Sequence, residues 1–375
     1  MSERAHAVLS ASSSSRWLAC PPSALLNADT PDSCGDAAEQ GTAAHALAEH
    51  KLRRALKRRS HKPASPWIDD EMEEHTDSYV TWVVERIAEL GRPLVLVEER
   101  LDYSRWAPDG FGTGDCVLIS DGVLHVIDLK YGQGVLVACE GNTQMMLYAL
   151  GAWDTFGLLY EIDEVRMTIY QPRRDNVSTW TMPLTELLAW ADSTLAPAAQ
   201  LAAEGEGEYA SGDWCRFCAI RNTCRARAEA NLALARLEFK PAAELSDEEI
   251  SEVLAKLPGL TSWANDVQAH ALEAATNHGK RWPGFKLVAG RSSRRWSNEA
   301  AVEAAATKAG FHDIHDTKLI GIPAMEKLMG KTTFHELLGD LVDKPPGKPA
   351  LVPSTDKRPE LVVESAENEF TPINQ

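Results

Sequence analysis

The stretch GTGDCVLISDGVLHVIDLKYG, Gly112 to Gly132, places two apolar runs on either side of Asp121-Gly122. Asp-Gly between such runs is a strong hairpin signal. With those two residues as the turn, Asp115 falls directly opposite Asp128. Directly opposed residues share a face, with Cβ atoms about 4.5–5.5 Å apart. Lys130, two residues beyond Asp128, points to that same face, while Ile127 and Leu129 point the other way into an apolar layer. Two opposed carboxylates repel, and a half-buried sheet solvates neither well. A divalent cation such as Mg²⁺ or Mn²⁺, which favours carboxylate oxygens, resolves the conflict. The lysine then stands where it can orient or help deprotonate an attacking water and stabilise developing negative charge. By themselves the letters D…DxK would also make a surface hairpin closed by a salt bridge.

Around this hairpin the pattern alternates helices and strands. Residues 1–35 read as irregular, rich in Ser and Pro. Apolar spacing predicts a helix from about Glu39 to Arg58, and another from about Asp70 to Leu90 that Gly91-Arg92-Pro93 stops. LVLVEERL (94–101) is strand-like. After the hairpin come a helix over about Gly141 to Phe156, strands near 165–170 and 177–180, and a helix at about 184–203. Past Cys224 the chain reads as mainly helical to about 277, and the tail from about Lys344, rich in Pro and charge, as poorly ordered. The expected fold is α/β: a central mixed sheet flanked by helices on both faces, the site at one edge, with a mainly helical C-terminal extension. The expected division is 1–225, 226–343 and the tail 344–375.

The 375 residues are 44% hydrophobic and 25% charged, the composition of a soluble globular protein. No stretch has the pattern of a signal peptide or a membrane span, so a cytoplasmic location with reduced thiols and no membrane partner is expected. The net charge of −17 argues against non-specific nucleic-acid binding over the whole surface. Lys51, Arg53, Arg54, Lys57, Arg58, Arg59 and Lys62 nevertheless form a local basic stripe, readable as a DNA contact or as a solvated helix face.

Three further features bear on the hairpin. His45 lies in GTAAH on the preceding helix, with Glu49 one turn on. Gln144 and Tyr148, in QMMLY, share a face of the following helix. Glu98 and Glu99 lie on the strand before the hairpin, where one either faces the same cation or both are exposed acids. In this order the residues resemble the PD-(D/E)XK nuclease superfamily, in its RecB-type branch, over roughly residues 16–225. The resemblance implies that His45, Asp115 and Asp128 bind the cation, that Lys130 is catalytic, and that Gln144 and Tyr148 support the site and DNA contact. The Leu129 carbonyl is a candidate further ligand.

The cysteines form a second pattern. Cys215, Cys218 and Cys224 are spaced C-x₂-C-x₅-C, and three such thiols in a reduced protein call for a metal and a fourth ligand. Cys20, in SSSRWLACPPS, is the leading candidate, with Cys34 as a substitute; Cys116 and Cys139 read as core. This layout resembles the iron–sulfur staple of AddB-type nucleases and of related CRISPR-adaptation exonucleases, which implies a [4Fe–4S] cluster joining the two ends of the core. The spacing alone equally permits a structural Zn²⁺.

The whole chain also resembles a bacteriophage and prophage protein family without an assigned function, including PGFKLVAGRSSRRW and KPALVPSTDKRP. Within it Arg291, Arg294, Arg295 and Trp296 read either as a phosphate and base contact or as an exposed turn. A phage setting implies DNA recombination or processing, with DNA as partner and a single-strand-binding or annealing protein as a further one. An oligomer is compatible with it. The function expected is a Mg²⁺- or Mn²⁺-dependent deoxyribonuclease working as an exonuclease. The alternatives are a catalytically inactive DNA-binding scaffold that keeps the metal–sulfur site, and a zinc-stapled interaction protein.

Overall fold

A computed structural model describes residues 7–28, 35–235, 247–285, 322, 325 and 330–338. The chain divides into two compact units, Met1–Lys280 and Arg281–Gln375. In the second, the described part includes one helix, Lys331–Leu338, with Phe334 buried. The segment Arg291 to Trp296, the tail from Lys344 and Cys34 lie outside the described residues.

The first unit is built on a five-stranded sheet: β1 (Leu94–Asp102), β2 (Phe111–Ser120), β3 (Gly122–Leu129), β4 (Ile162–Gln171) and β5 (Asn176–Pro183). Strand order follows the chain, and only the β3–β4 pair is parallel. The sheet is therefore mixed, as the sequence pattern requires. β3 is central, and Leu124 to Leu129 are buried without interruption, as expected of a strand covered on both faces. The hairpin register is the one the Asp-Gly turn dictates, running from Ser120↔Val123 to Cys116↔Ile127. Gly122 takes a φ of 88°, a conformation that favours glycine.

One face is covered by α3 (Asp36–Ala55) and α4 (Asp70–Glu89). In α4, Met72, Thr76, Tyr79 and Val83 form a buried stripe at helical spacing. Asp69 caps it by accepting from the Met72 N–H, and Asp70, Glu71 and Glu73 in the first turn complement the helix dipole. In α3, Ala44, Leu47, Ala48 and Leu52 are buried, and Ala48 and Leu52 pack with Val95, Val97, Cys116, Leu118, Ile127 and Leu129. The opposite face is covered by α5 (Thr143–Phe156), which crosses between β3 and β4, and by α6 (Leu184–Trp190) and α7 (Ala196–Glu204). Asn142 caps α5 by accepting from the Gln144 and Met145 N–H groups. Between α6 and α7 a π-helical turn, Ala191–Leu195, replaces the single helix expected over 184–203. Pro197 has no N–H for the carbonyl four residues back, which accounts for the widened turn.

Over residues 7–28 the N-terminal stretch is not irregular. A 3₁₀ turn (Ala11–Ser13) leads into α1 (Ser14–Ala19) and α2 (Ser23–Ala28). Helices this short do not stand alone in water. They are held by burial of Leu9, Trp17 and Ala24 in the α5-side core, and by a 2.6 Å bond between the Ser14 and Thr143 hydroxyls. After the core come α8 (Arg225–Ala235) and α9 (Asp247–His278). Arg227, buried on α8, pairs with Asp266 on α9. No described helix is long and apolar enough to cross a membrane.

The basic stripe is largely spent within the fold. Lys51 pairs with Glu73 and Asp77, Lys62 with Glu73, and Arg53 with Glu49. Arg53 and Arg58 also donate to the Val97 and Val95 carbonyls, which leaves Arg54, Lys57 and Arg59 exposed.

His125 on β3 sets a pH limit on this core. Its Nε2 lies 2.9 Å from the Thr168 hydroxyl, and its Nδ1 is buried without a partner. Burial, with Arg166 and Arg86 nearby, pulls its pKa down to about 3. The unfolded imidazole titrates near 6.5, so below that pH the unfolded chain binds the extra proton. Stability from this residue is complete above about pH 6.5 and is lost as pH falls toward the folded value. In urea denaturation at about pH 7.5 and about pH 5.5, the stability gap between wild type and His125→Phe should shift by about 1.4 kcal/mol in favour of the variant at the lower pH. An unchanged gap would mean that His125 titrates in the fold as it does in the unfolded chain.

Candidate metal centre and thiol cavity

Strict alternation fails where β1 and β2 pass the end of β3. Val95 and Val97 face α3 and α4, whereas Leu101 faces α5. On β2, Val117 packs in the α5-side core, and a Cβ on Gly114 would meet Leu101 and Val117. Asp115 and Cys116 between them both turn toward α3 and α4. The β1–β2 ladder passes from Val97↔Cys116 to Glu99↔Gly114, omitting Glu98 and Asp115. Glu98 takes a φ of 50°, uncommon for a residue with a Cβ and a mark of local strain.

This fault corrects the simple hairpin picture. Asp115 and Asp128 stand on neighbouring strands, but Asp115 is directed to the α3 side and Asp128 to the α5 side. They flank the end of β3 and do not share one face. Nor is the site at a lateral edge of the sheet, because β3 is its middle strand.

On the α3 side, His45 Nδ1 lies 3.1 Å from Asp115 Oδ1, and the Leu129 N–H donates to Asp115 Oδ2 at 2.7 Å. Ligand atoms of His45, Glu98 and Asp115 all lie within 4.8 Å of one another, the one such group among the described residues. They line a small recess with Leu129 and Tyr79. The Tyr79 hydroxyl is buried there without a hydrogen-bond partner. Glu99 is exposed, so Glu98 is the acid of that pair that turns inward.

Electrostatics follow from this crowding. Burial, reinforced by Asp115, raises the Glu98 carboxyl to about 7. For His45, burial is the largest single influence and favours the neutral ring, but Asp115 and Asp128 outweigh it and lift the pKa to about 9. Burial pushes Asp115 up, yet His45 and the Leu129 N–H together hold it below the usual carboxylate range.

On the α5 side, Lys130 follows β3, and its N–H donates to the Tyr170 carbonyl at 2.8 Å. Its Nζ is 2.9 Å from Asp128 Oδ2 and donates to Gln144 Oε1 at 3.1 Å. The Gln144 amide in turn donates to Asp128 Oδ1 (3.3 Å) and to the Tyr148 hydroxyl (3.1 Å). Asp128 Oδ2 accepts no well-angled hydrogen bond although it is buried. Burial raises the Asp128 pKa despite the adjacent Lys130. For Lys130 burial acts downward, but the pair with Asp128 prevails and raises it.

All six side chains singled out in sequence, His45, Asp115, Asp128, Lys130, Gln144 and Tyr148, thus come to one place from α3, β2, β3 and α5. Two contributions were not legible. The Leu129 N–H acts through the backbone, and Gly112 leaves room for a ring: a Cβ there would stand 2.7 Å from Tyr148 Cε1.

The thiols gather elsewhere in the same unit. Cys20, Cys215, Cys218 and Cys224 line one recess, together with Arg16, Trp214 and Arg221. None of the four is in a disulfide. Among the described residues no three thiols fall within 4.8 Å of one another, whereas a single tetrahedral zinc needs sulfurs about 3.8 Å apart. Cys116 and Cys139 are buried in the core.

A family model described as "Protein of unknown function (DUF2800)" matches residues 6–359. The chain belongs to the DUF2800 family. Among solved structures, one titled "Crystal structure of SSO0001" is similar at 14% identity, over 48% of this chain and 95% of that one, with a TM-score of 0.24. That likeness is too slight to carry an argument. DUF2800 membership names no chemistry, so the chemistry is argued from the side chains.

Gly112→Ala should tilt the Tyr148 ring away from Gln144 and destabilise the fold by about 1–3 kcal/mol, the usual cost of overpacking. Chemical denaturation measures the loss, and near-UV circular dichroism should report the changed tyrosine environment. A variant as stable as wild type would show that the ring yields freely.

Proposed function

We propose that this protein is a divalent-cation-dependent deoxyribonuclease of the PD-(D/E)XK type, in its RecB-type branch, acting as an exonuclease. The observation that carries the proposal is the convergence of His45, Asp115, Asp128, Lys130, Gln144 and Tyr148 on the end of β3, with Glu98 added. One orphaned polar atom supports a resident cation, the buried Tyr79 hydroxyl beside the recess. Imidazole and carboxylate donors suit Mn²⁺ and, through the oxygens, Mg²⁺.

A bound Mg²⁺ or Mn²⁺ would supply charge neutralisation at the phosphate and a more acidic water at neutral pH. His45, Glu98 and Asp115 would hold it from the α3 side, with the Leu129 carbonyl as a further candidate ligand, while Asp128, across the end of β3, would hold Lys130 beside it. The Asp115 orientation needed for this is fixed by the Leu129 N–H. Lys130 remains partly exposed while Asp128 and Gln144 hold its ammonium, so it can donate to a phosphate oxygen or to the attacking water. Gln144 bridges Asp128, Lys130 and Tyr148, which makes it the residue that keeps these three in register.

Cys20, Cys215, Cys218 and Cys224 would hold a [4Fe–4S] cluster, and their convergence on one recess supports that reading. The four thiols are unpaired, and their spread exceeds that of a single zinc. With four protein ligands such a centre is closed and structural.

The test uses anaerobically purified protein with end-labelled linear DNA and a closed circle, each in Mg²⁺, Mn²⁺ or EDTA. Linear DNA should be lost only with the cation, the circle should be spared, and Lys130→Ala and Asp128→Asn should each reduce the rate by on the order of 10²-fold or more. Wild type with an intact cluster that cuts neither substrate would overturn the catalytic reading and favour a DNA-binding scaffold. Iron and acid-labile sulfide should copurify with the wild type and fall in Cys215→Ser; zinc in their place would overturn the cluster.

A further inference from the structure

Two arginines line the thiol cavity, Arg16 and Arg221, and among the described residues Arg16 has no acid to account for it. Arg16 lies on α1, one helical turn before Cys20, and its carbonyl accepts the Cys20 N–H at 2.8 Å. Its Nη1 reaches across to the Phe217 carbonyl at 3.1 Å, on the loop between Cys215 and Cys218. Arg16 therefore touches both halves of the proposed staple. Its Nε is buried with no hydrogen-bond partner, and the side chain lines the cavity. A buried donor left unmade costs about 1–3 kcal/mol, so an acceptor belongs there. The acceptors that a metal–sulfur centre brings to this cavity are sulfurs.

The other cations nearby have a carboxylate within reach. Arg227 and Arg221, the second of which also lines the cavity, share the single Asp266, at 3.6 Å for Arg221. Among the described residues Arg16 makes no ion pair with a carboxylate. On the opposite side Asn27 is fully engaged: its amide donates to the Ser23 carbonyl (2.7 Å) and approaches Cys218 Sγ at 3.6 Å, while its Oδ1 accepts the Ala219 N–H (2.8 Å). Asn27 thus fixes Cys218 with a neutral donor, and among the described residues Arg16 is the arginine lining the cavity that has no carboxylate partner.

We infer that Arg16 is the counter-charge of the thiolate cage and a positioning residue that sets the reduction potential of the cluster. The inference rests on the cluster reading above. Four thiolates around a [4Fe–4S]²⁺ core carry a net charge of about −2, and one added electron makes it about −3. A fixed positive charge in a poorly solvated site favours the more negative state. Removing it makes reduction harder and moves the midpoint to more negative potential.

The experiment uses anaerobically purified full-length protein titrated with dithionite, which supplies the single electron, and followed by electron paramagnetic resonance. Arg16→Gln should retain iron and sulfide but show a midpoint shifted to more negative potential, while Arg16→Lys, which keeps the charge, should shift less. Equal midpoints in wild type and Arg16→Gln would reduce Arg16 to a packing role and overturn the inference. If Arg16→Gln fails to hold a cluster, Arg16→Lys decides: retention near the wild-type midpoint supports the charge role, and loss there too, with an unchanged melting temperature, overturns it. Wild type without iron would overturn the cluster reading itself, a failure visible before any variant is made.

Discussion

The Asp115 carboxylate accepts from two directions at once, and the architecture of the site depends on it. One oxygen faces His45 on α3; the other takes the Leu129 N–H at the end of β3. A single side chain on β2 therefore joins a helix to the central strand. Register is what makes this possible. A one-residue slip of β2 against β3 would send the same carboxylate to the other face and leave the Leu129 N–H without this partner. The apolar layers on the two sides of the sheet, with Cys116 and Leu118 on one and Val117 and Ile119 on the other, penalise such a slip strongly. The core thus enforces the chemistry's geometry, and the strain at Glu98 is sustained because packing on both sides leaves the strand no alternative path.

A second tie operates far from the first along the chain. Cys20 precedes the sheet and Cys215 follows it, yet both line one cavity. Their segments are cross-bonded through protein contacts alone, Arg16 to Phe217 and Asn27 to Ala219. Closing so long a loop costs chain entropy, though the cost grows only slowly with length. A ligand that binds the folded arrangement and not the unfolded one would stabilise it by mass action. In that reading the polar bonds prepare the cavity and the inorganic centre secures it.

The hairpin register was legible because Asp-Gly specifies a tight turn and every pairing follows from it. Gln144 and Tyr148 were legible because four residues make a helical turn. What failed had a common cause: tertiary contacts overrode a local rule. The Ser- and Pro-rich N-terminus reads as irregular, but Trp17 and Leu9 find a core that sequence does not display. Opposed strand residues share a face only while alternation lasts, and at Glu98 and Asp115 it does not. The basic stripe kept two readings open; acids on α4, distant in sequence, take up Lys51 and Lys62. Glu98 and Glu99 were indistinguishable as letters, and a single backbone conformation separates them.

These placements constrain how a polyanion can approach. The protein carries a net charge of −17, and Lys51, Arg53 and Lys62 of its densest basic segment are paired internally. At the site itself, Glu98, Asp115 and Asp128 gather against the positive side chains of His45 and Lys130, and Lys130 is already engaged by Asp128. Such a surface repels phosphate until its carboxylates are neutralised. If the site acts on DNA, cation binding and substrate binding are therefore one coupled event: each lowers the electrostatic cost of the other, and by linkage the coupling is reciprocal. On the proposal above, the same crowding that makes the carboxylates costly would give a divalent cation its place there and would limit productive contact with a phosphate backbone to the end of β3.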